Sequence, residues 1–176
     1  MPSTTYFIRA TIRALVAPDH RLSCSSNLWQ QGLLELKFRG EGRRESGAFL
    51  LGLEDRERRT ITRFVFYDDL DQRCLDTGAI VFNGAAYGKL WDLCRATGLT
   101  VVADVHTHPG LARQSFIDKR NPMIAQKGHV AIVVPDLARR VFQVNELGVY
   151  EYQGSHRWKE FTGKNAAHYF YIGWGG

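Results

Sequence analysis

At 176 residues the chain has the size of one ordinary domain, long enough to bury a core without disulfide or metal staples. Hydrophobic residues at 44% and charged residues at 23% exclude a disordered or fibrous chain. The net charge of +5 comes from scattered Lys and Arg, with one dense cluster at Arg56, Arg58 and Arg59. That run reads as a solvated loop; nucleic-acid binding calls for a continuous basic stripe with interleaved aromatics. Cys24, Cys74 and Cys94 are odd in number and widely spaced, which fits neither a disulfide framework nor a cysteine-type zinc site and implies a reducing compartment. No apolar run approaches the roughly 20 residues that span a bilayer. The N-terminus lacks the charged and then long apolar stretch of a leader. The expectation is a cytoplasmic protein with no membrane or nucleic-acid partner.

In chain order, Tyr6 to Ala17 alternates partly and ends at Pro18-Asp19, as a strand does. Ser26-Asn27 then caps a run of Leu28, Trp29, Leu33, Leu34, Leu36 and Phe38, whose spacing predicts an amphipathic helix facing a sheet and stopping near Gly40. Ala48 to Leu51 and Ile61 to Tyr67 are short and β-prone, with the charged segment Glu54 to Arg59 as their hairpin connection. Asn83 opens a second helical pattern through Tyr87, Leu90, Trp91 and Cys94, closed by Thr97-Gly98. Leu99 to His108 reads as a buried strand running into a loop at Pro109-Gly110. Further strands are expected at Gly128 to Pro135, Val141 to Val144, Gly148 to Tyr152 and Trp158 to Phe161. No internal repeat or linker interrupts this order, which predicts one mixed α/β domain over residues 1–176 with two or three helices.

Chemistry concentrates in three places. His106-Thr107-His108 ends a buried strand, and because strand side chains alternate, both imidazoles share a face and can reach one metal. Ser115-Phe116-Ile117-Asp118 follows in a short loop; it is also what a plain helix cap looks like, and capping and metal binding need not exclude each other. Two imidazoles, a carboxylate and an open fourth position form the ligand pattern of a catalytic zinc ion. Glu45 enters the apolar run Ser46 to Gly52, where an unpaired carboxylate is costly to bury, so it is the base candidate; a surface ion pair with Arg43 or Arg44 is the plainer reading. Asp104 shares the face of His106 and reads either as an acceptor behind the ligands or as a solvated or helix-facing acid. His20, His129, His156 and His168 stand singly and read as surface or satisfied polar positions.

Taken together, Glu45 with Ser46-Gly47-x-x-Leu50-Leu51-Gly52, then His106-Thr107-His108-Pro109, then Ser115-x-x-Asp118, resemble the JAMM (JAB1/MPN/Mov34) zinc metallopeptidase family. The resemblance runs from the helix at Leu28 to the strands near Tyr152. It implies an α/β (α+β) fold of MPN/JAB type, a mixed β-sheet flanked by two or three helices in a cytidine-deaminase-like architecture. It also implies one Zn2+ held by His106, His108 and Asp118, Glu45 as general base and Ser115 as oxyanion donor. The implied substrates are peptide or isopeptide bonds after the C-terminal glycine of a ubiquitin-like protein. The small stand-alone form resembles bacterial relatives beside ubiquitin-like conjugation systems, with activating and conjugating enzymes as partners, some of them in antiviral defence. One departure stands out: six residues separate His108 from Ser115, one fewer than the family pattern usually places there.

Three alternatives accompany that reading. One is a non-catalytic MPN scaffold, although such relatives usually lack a ligand and this chain keeps them all. Another is a modifier ending in Gly175-Gly176, for which a frayed end is the plainer reading. The last is a zinc amidohydrolase acting on a sulfur-carrier precursor or a small-molecule amide.

Overall fold

The structure is a computed structural model, and it describes residues 20–174 with the exception of Glu57. The strand expected at Tyr6 to Ala17 and the terminal Gly175-Gly176 lie outside the described residues. Among the described residues eight strands form one mixed sheet: β1 Leu22–Ser25, β2 Gly47–Asp55, β3 Arg58–Phe66, β4 Thr100–Thr107, β5 Val130–Val134, β6 Gly148–Gly154, β7 Arg157–Phe161 and β8 Phe170–Gly173. Their spatial order is β7-β6-β5-β4-β2-β3-β1-β8. Two α-helices among the described residues are long, α1 Ser26–Arg39 and α3 Tyr87–Thr97. Three are short: α2 Tyr67–Leu70, α4 Phe116–Arg120 and α5 Lys164–Tyr169. The class is mixed α+β, with more helices than the two or three expected because single turns carry too little periodicity to read. Among the described residues no helix is long and apolar enough to cross a membrane.

The alternation of β2 divides the core. Ala48 and Leu50 face α1, where Trp29, Leu33 and Leu36 pack on them, while Phe49 and Leu51 face Leu90 of α3 on the opposite side. Each of the Leu and Phe side chains so removed from water contributes about 1.5–3 kcal/mol. Ser25, one residue before the expected cap, accepts from the Leu28 amide at 3.3 Å and starts α1. Leu34 and Phe38, expected against the sheet, are exposed on the outer side of that helix. Asn83 caps a 3-10 turn that leads into α3, and Gly98, at φ 68°, ends the helix in the left-handed conformation.

Other expectations are corrected. Strands β2 and β3 extend through most of the charged Glu54 to Arg59 connection, because their pairing continues to Asp55 opposite Arg58. Val141 to Val144 is not a strand: Phe142 is buried and Val144 opens a 3-10 turn, so the apolar residues anchor a loop instead of pairing. Strands β1 and β8 escaped sequence reading. They are four residues each and pair in parallel at the sheet's end, so their partners are distant in the chain. All three cysteines are free; burial pushes the Cys24 and Cys74 thiols up to about 12.

Strands β4 and β5 are parallel neighbours, so the chain must cross over between them, and that crossover carries Ser115, α4 and Asp118 past the C-terminal end of β4. The start of β2 meets the same end, since Gly47 pairs with His106. Gly47 is required by space: a Cβ there would stand 2.3 Å from the Tyr67 ring and 2.9 Å from the Val105 carbonyl oxygen. We expect Gly47→Ala to cost about 1–3 kcal/mol through overpacking. A urea midpoint equal to that of the wild type would show that the ring yields freely.

Candidate metal centre

His106 is the penultimate residue of β4, on the face that carries Tyr67, and His108 lies one residue beyond the strand; both are buried. Their Nε2 atoms are 3.1 Å apart. Asp118 Oδ2 lies 3.1 Å from His108 Nε2 and 3.7 Å from His106 Nε2. Zinc bonds of about 2.0–2.1 Å in tetrahedral geometry set neighbouring donors about 3.3 Å apart. The three separations bracket that spacing, so the residues fit three corners of a zinc site. Burial alone would push the Asp118 carboxyl up; the two imidazoles outweigh it and hold the group well below the usual carboxylate range. At His106 the burial that would lower its pKa is likewise outweighed by Asp118, Asp104 and Glu45, and it is raised.

Thr107, between the histidines, points to the other side of the strand and ties the site together. Its amide donates to the Ser46 carbonyl at 2.9 Å, and its hydroxyl oxygen accepts from the Ser46 amide at 3.0 Å. The Ser46 hydroxyl in turn donates to the Leu36 carbonyl at the end of α1, at 2.7 Å. Glu45 is thereby held at the mouth, with Oε1 3.8 Å from His108 Nε2. Arg43 and Arg44 both turn to Glu41, so the surface ion pair weighed for Glu45 goes to a different acid. Burial raises the Glu45 carboxyl, partly offset by His108 and His106.

Ser115 both caps α4 and positions a candidate ligand. Its hydroxyl oxygen accepts from the Asp118 amide at 3.1 Å, and its own amide donates to Asp118 Oδ2 at 2.6 Å, the oxygen that faces both histidines. The shortened loop before it is pinned from outside. Tyr150 donates its hydroxyl to the Ala112 carbonyl at 3.0 Å, and the Asp136 and Leu137 amides donate to the carbonyls of Gly110 and His108. Asp136, Leu137 and Ala138 achieve this with φ of 50°, 51° and 54°. Left-handed backbone costs non-glycine residues roughly 1–2 kcal/mol each.

Sequence reasoning missed Thr107, this left-handed turn, and the partners His129 and Tyr67 of Asp104, which was weighed as an acceptor behind His106. Asp104 is buried rather than solvated. Its Oδ1 lies 2.5 Å from His129 Nε2, and its Oδ2 accepts from the Tyr67 hydroxyl at 3.3 Å. The alternation of Asp104 with His106 was a usable signal; nothing local in the sequence joins it to His129.

No protein-family model matches the chain. Over 63 residues, 36% of its length, it is 33% identical to a protein of Sinorhizobium fredii named probable metalloprotease y4jG. That match spans 39% of the relative's own length. The fold is similar to the solution structure of protein DSY2949 from Desulfitobacterium hafniense. The TM-score is 0.61 and the identity 17%, with 86% of this chain and 92% of the other covered, a likeness of fold alone. A His-His-Asp cluster with both histidines buried and Asp118 half-buried, able to hold a metal, and a relative named for metalloprotease activity, agree with a metallohydrolase.

Ser115→Ala removes the hydroxyl that caps the Asp118 amide, at about 1 kcal/mol, and loosens the first turn of α4 that carries Asp118, while the residue 115 amide can still donate to the Asp118 carboxylate. We expect zinc affinity to fall by about tenfold in competition with a chromophoric chelator, the lower end of what orienting partners contribute. Unchanged affinity would show that Asp118 needs no cap to reach the histidines.

Proposed function

We propose that this chain is a zinc-dependent peptidase or isopeptidase of JAMM type, acting after the C-terminal glycine of a ubiquitin-like protein or its conjugates. The observation that carries the catalytic part is the placing of the Glu45 carboxylate beside, yet outside, the His106, His108 and Asp118 cluster. The metalloprotease-named relative supports hydrolysis, and the sequence resemblance supports the substrate class. In this reading the partners are a ubiquitin-like protein and its activating and conjugating enzymes, in a bacterial conjugation system such as one used in antiviral defence.

His106, His108 and Asp118 would hold the zinc ion, which when bound supplies Lewis acidity for a carbonyl and makes water a competent nucleophile near neutral pH. Glu45 takes the proton from the attacking water and returns it to the leaving amine nitrogen as the C–N bond breaks. Its raised basicity suits both transfers. Ser115 has one oxygen lone pair engaged by the Asp118 amide, and its O–H remains able to donate to the developing oxyanion. Leu111, Phe116 and Ile117, exposed on the loop and helix beside Asp118, offer apolar contact to an extended peptide.

Glu45→Gln should keep zinc at wild-type stoichiometry while turnover of an isopeptide-linked ubiquitin-like conjugate falls by about 10²–10⁴-fold. His106→Ala should lose the metal and turnover together. Full activity in Glu45→Gln would remove Glu45 from the mechanism. A wild-type protein that binds no zinc would be a scaffold, and cleavage confined to small-molecule amides would redirect the substrate class.

A further inference from the structure

We infer that Asp104 is a positioning residue for the metal centre, orienting His106 from behind, and that His129 and Tyr67 hold Asp104 for that task. The inference rests on the reading of His106, His108 and Asp118 as metal ligands. Asp104 and His106 alternate on one face of β4, and Asp104 Oδ2 stands 4.0 Å from His106 Nδ1, the ring nitrogen turned away from the cluster. The two carboxylate oxygens divide their partners. Oδ1 is against His129 Nε2 at 2.5 Å, whereas Oδ2 takes the Tyr67 hydroxyl at 3.3 Å and faces His106.

A neutral imidazole carries its single proton on one nitrogen, and only the other can ligate a metal. A buried carboxylate on the Nδ1 side attracts the proton there and leaves the Nε2 lone pair for the cluster. Fold stability gives weaker grounds for this arrangement, since a buried polar or ionic pair is often no better than well-packed apolar residues of similar volume. Asp104 and His129 side chains are 2% and 3% exposed, so water cannot substitute for either partner. His129 lies one residue before β5, the parallel neighbour of β4, and two positions ahead of Ala131, the register partner of Asp104, so alternation puts its side chain on the face of Asp104.

The test is zinc titration of the full chain against a competing chelator for the wild type, Asp104→Asn and His129→Gln, with urea midpoints measured alongside. Asp104→Asn keeps the shape and removes the charge; its affinity should fall by about 10–100-fold. His129→Gln, acting through Asp104, should lose less. Wild-type affinity in Asp104→Asn overturns the inference while leaving the ligand reading intact, whereas a wild type that binds no zinc overturns the ligand reading itself. As a measurement independent of any variant's folding, nitrogen NMR of the metal-free wild type above neutral pH should find His106 as the Nδ1–H tautomer. The Nε2–H tautomer would overturn the assignment.

Discussion

The reciprocal bonding of Ser46 and Thr107 is the constraint on which the rest of the site depends. It closes the antiparallel pairing where β2 begins and β4 ends, and it uses the one residue of the His-x-His run that faces away from the cluster. Because both partners are buried, the bonds work without competition from water. Ser46 also reaches the end of α1, so a helix on one side of the sheet and a strand end at its middle settle where Glu45 emerges. Glu45 and the His106–His108 run are thereby joined through one buried hydrogen-bonded link.

The electrostatics of the centre follow from that geometry. Glu45, Asp104 and Asp118 surround two imidazoles in a largely buried site, and the arginines nearest in sequence to Glu45 are engaged elsewhere. A cluster with this much carboxylate and so little fixed positive charge attracts a cation. The left-handed turn at Asp136 to Ala138 costs backbone strain and returns two amide donors to the chain beside His108, an expenditure that makes sense where a donor atom must be placed to a fraction of an ångström.

Much of this could be read from the residues. Helix α1, helix α3 and strands β4, β5 and β6 announce themselves by period and by capping, because each buries one continuous face or run. The cluster was legible for a local reason: His106 and His108 lie two apart on a strand, and Ser115 and Asp118 lie one turn apart at a helix start. Strands β1 and β8 and the partnership of Asp104 with His129 were not legible, since they are made by residues distant in the chain whose own surroundings carry no pattern. Phe38 and Leu34 show the converse, apolar side chains that fit a helical stripe and yet face outward.

The double use of one oxygen has a thermodynamic consequence. Asp118 Oδ2 is hydrogen-bonded to the Ser115 amide and directed at both histidines at once. The entropy of ordering the third donor is thus met when α4 forms, before any ion arrives, and association need not supply it. Linkage runs in the other direction too: whatever occupies the cluster also holds the start of α4, so occupancy and the local stability of the crossover segment report on each other.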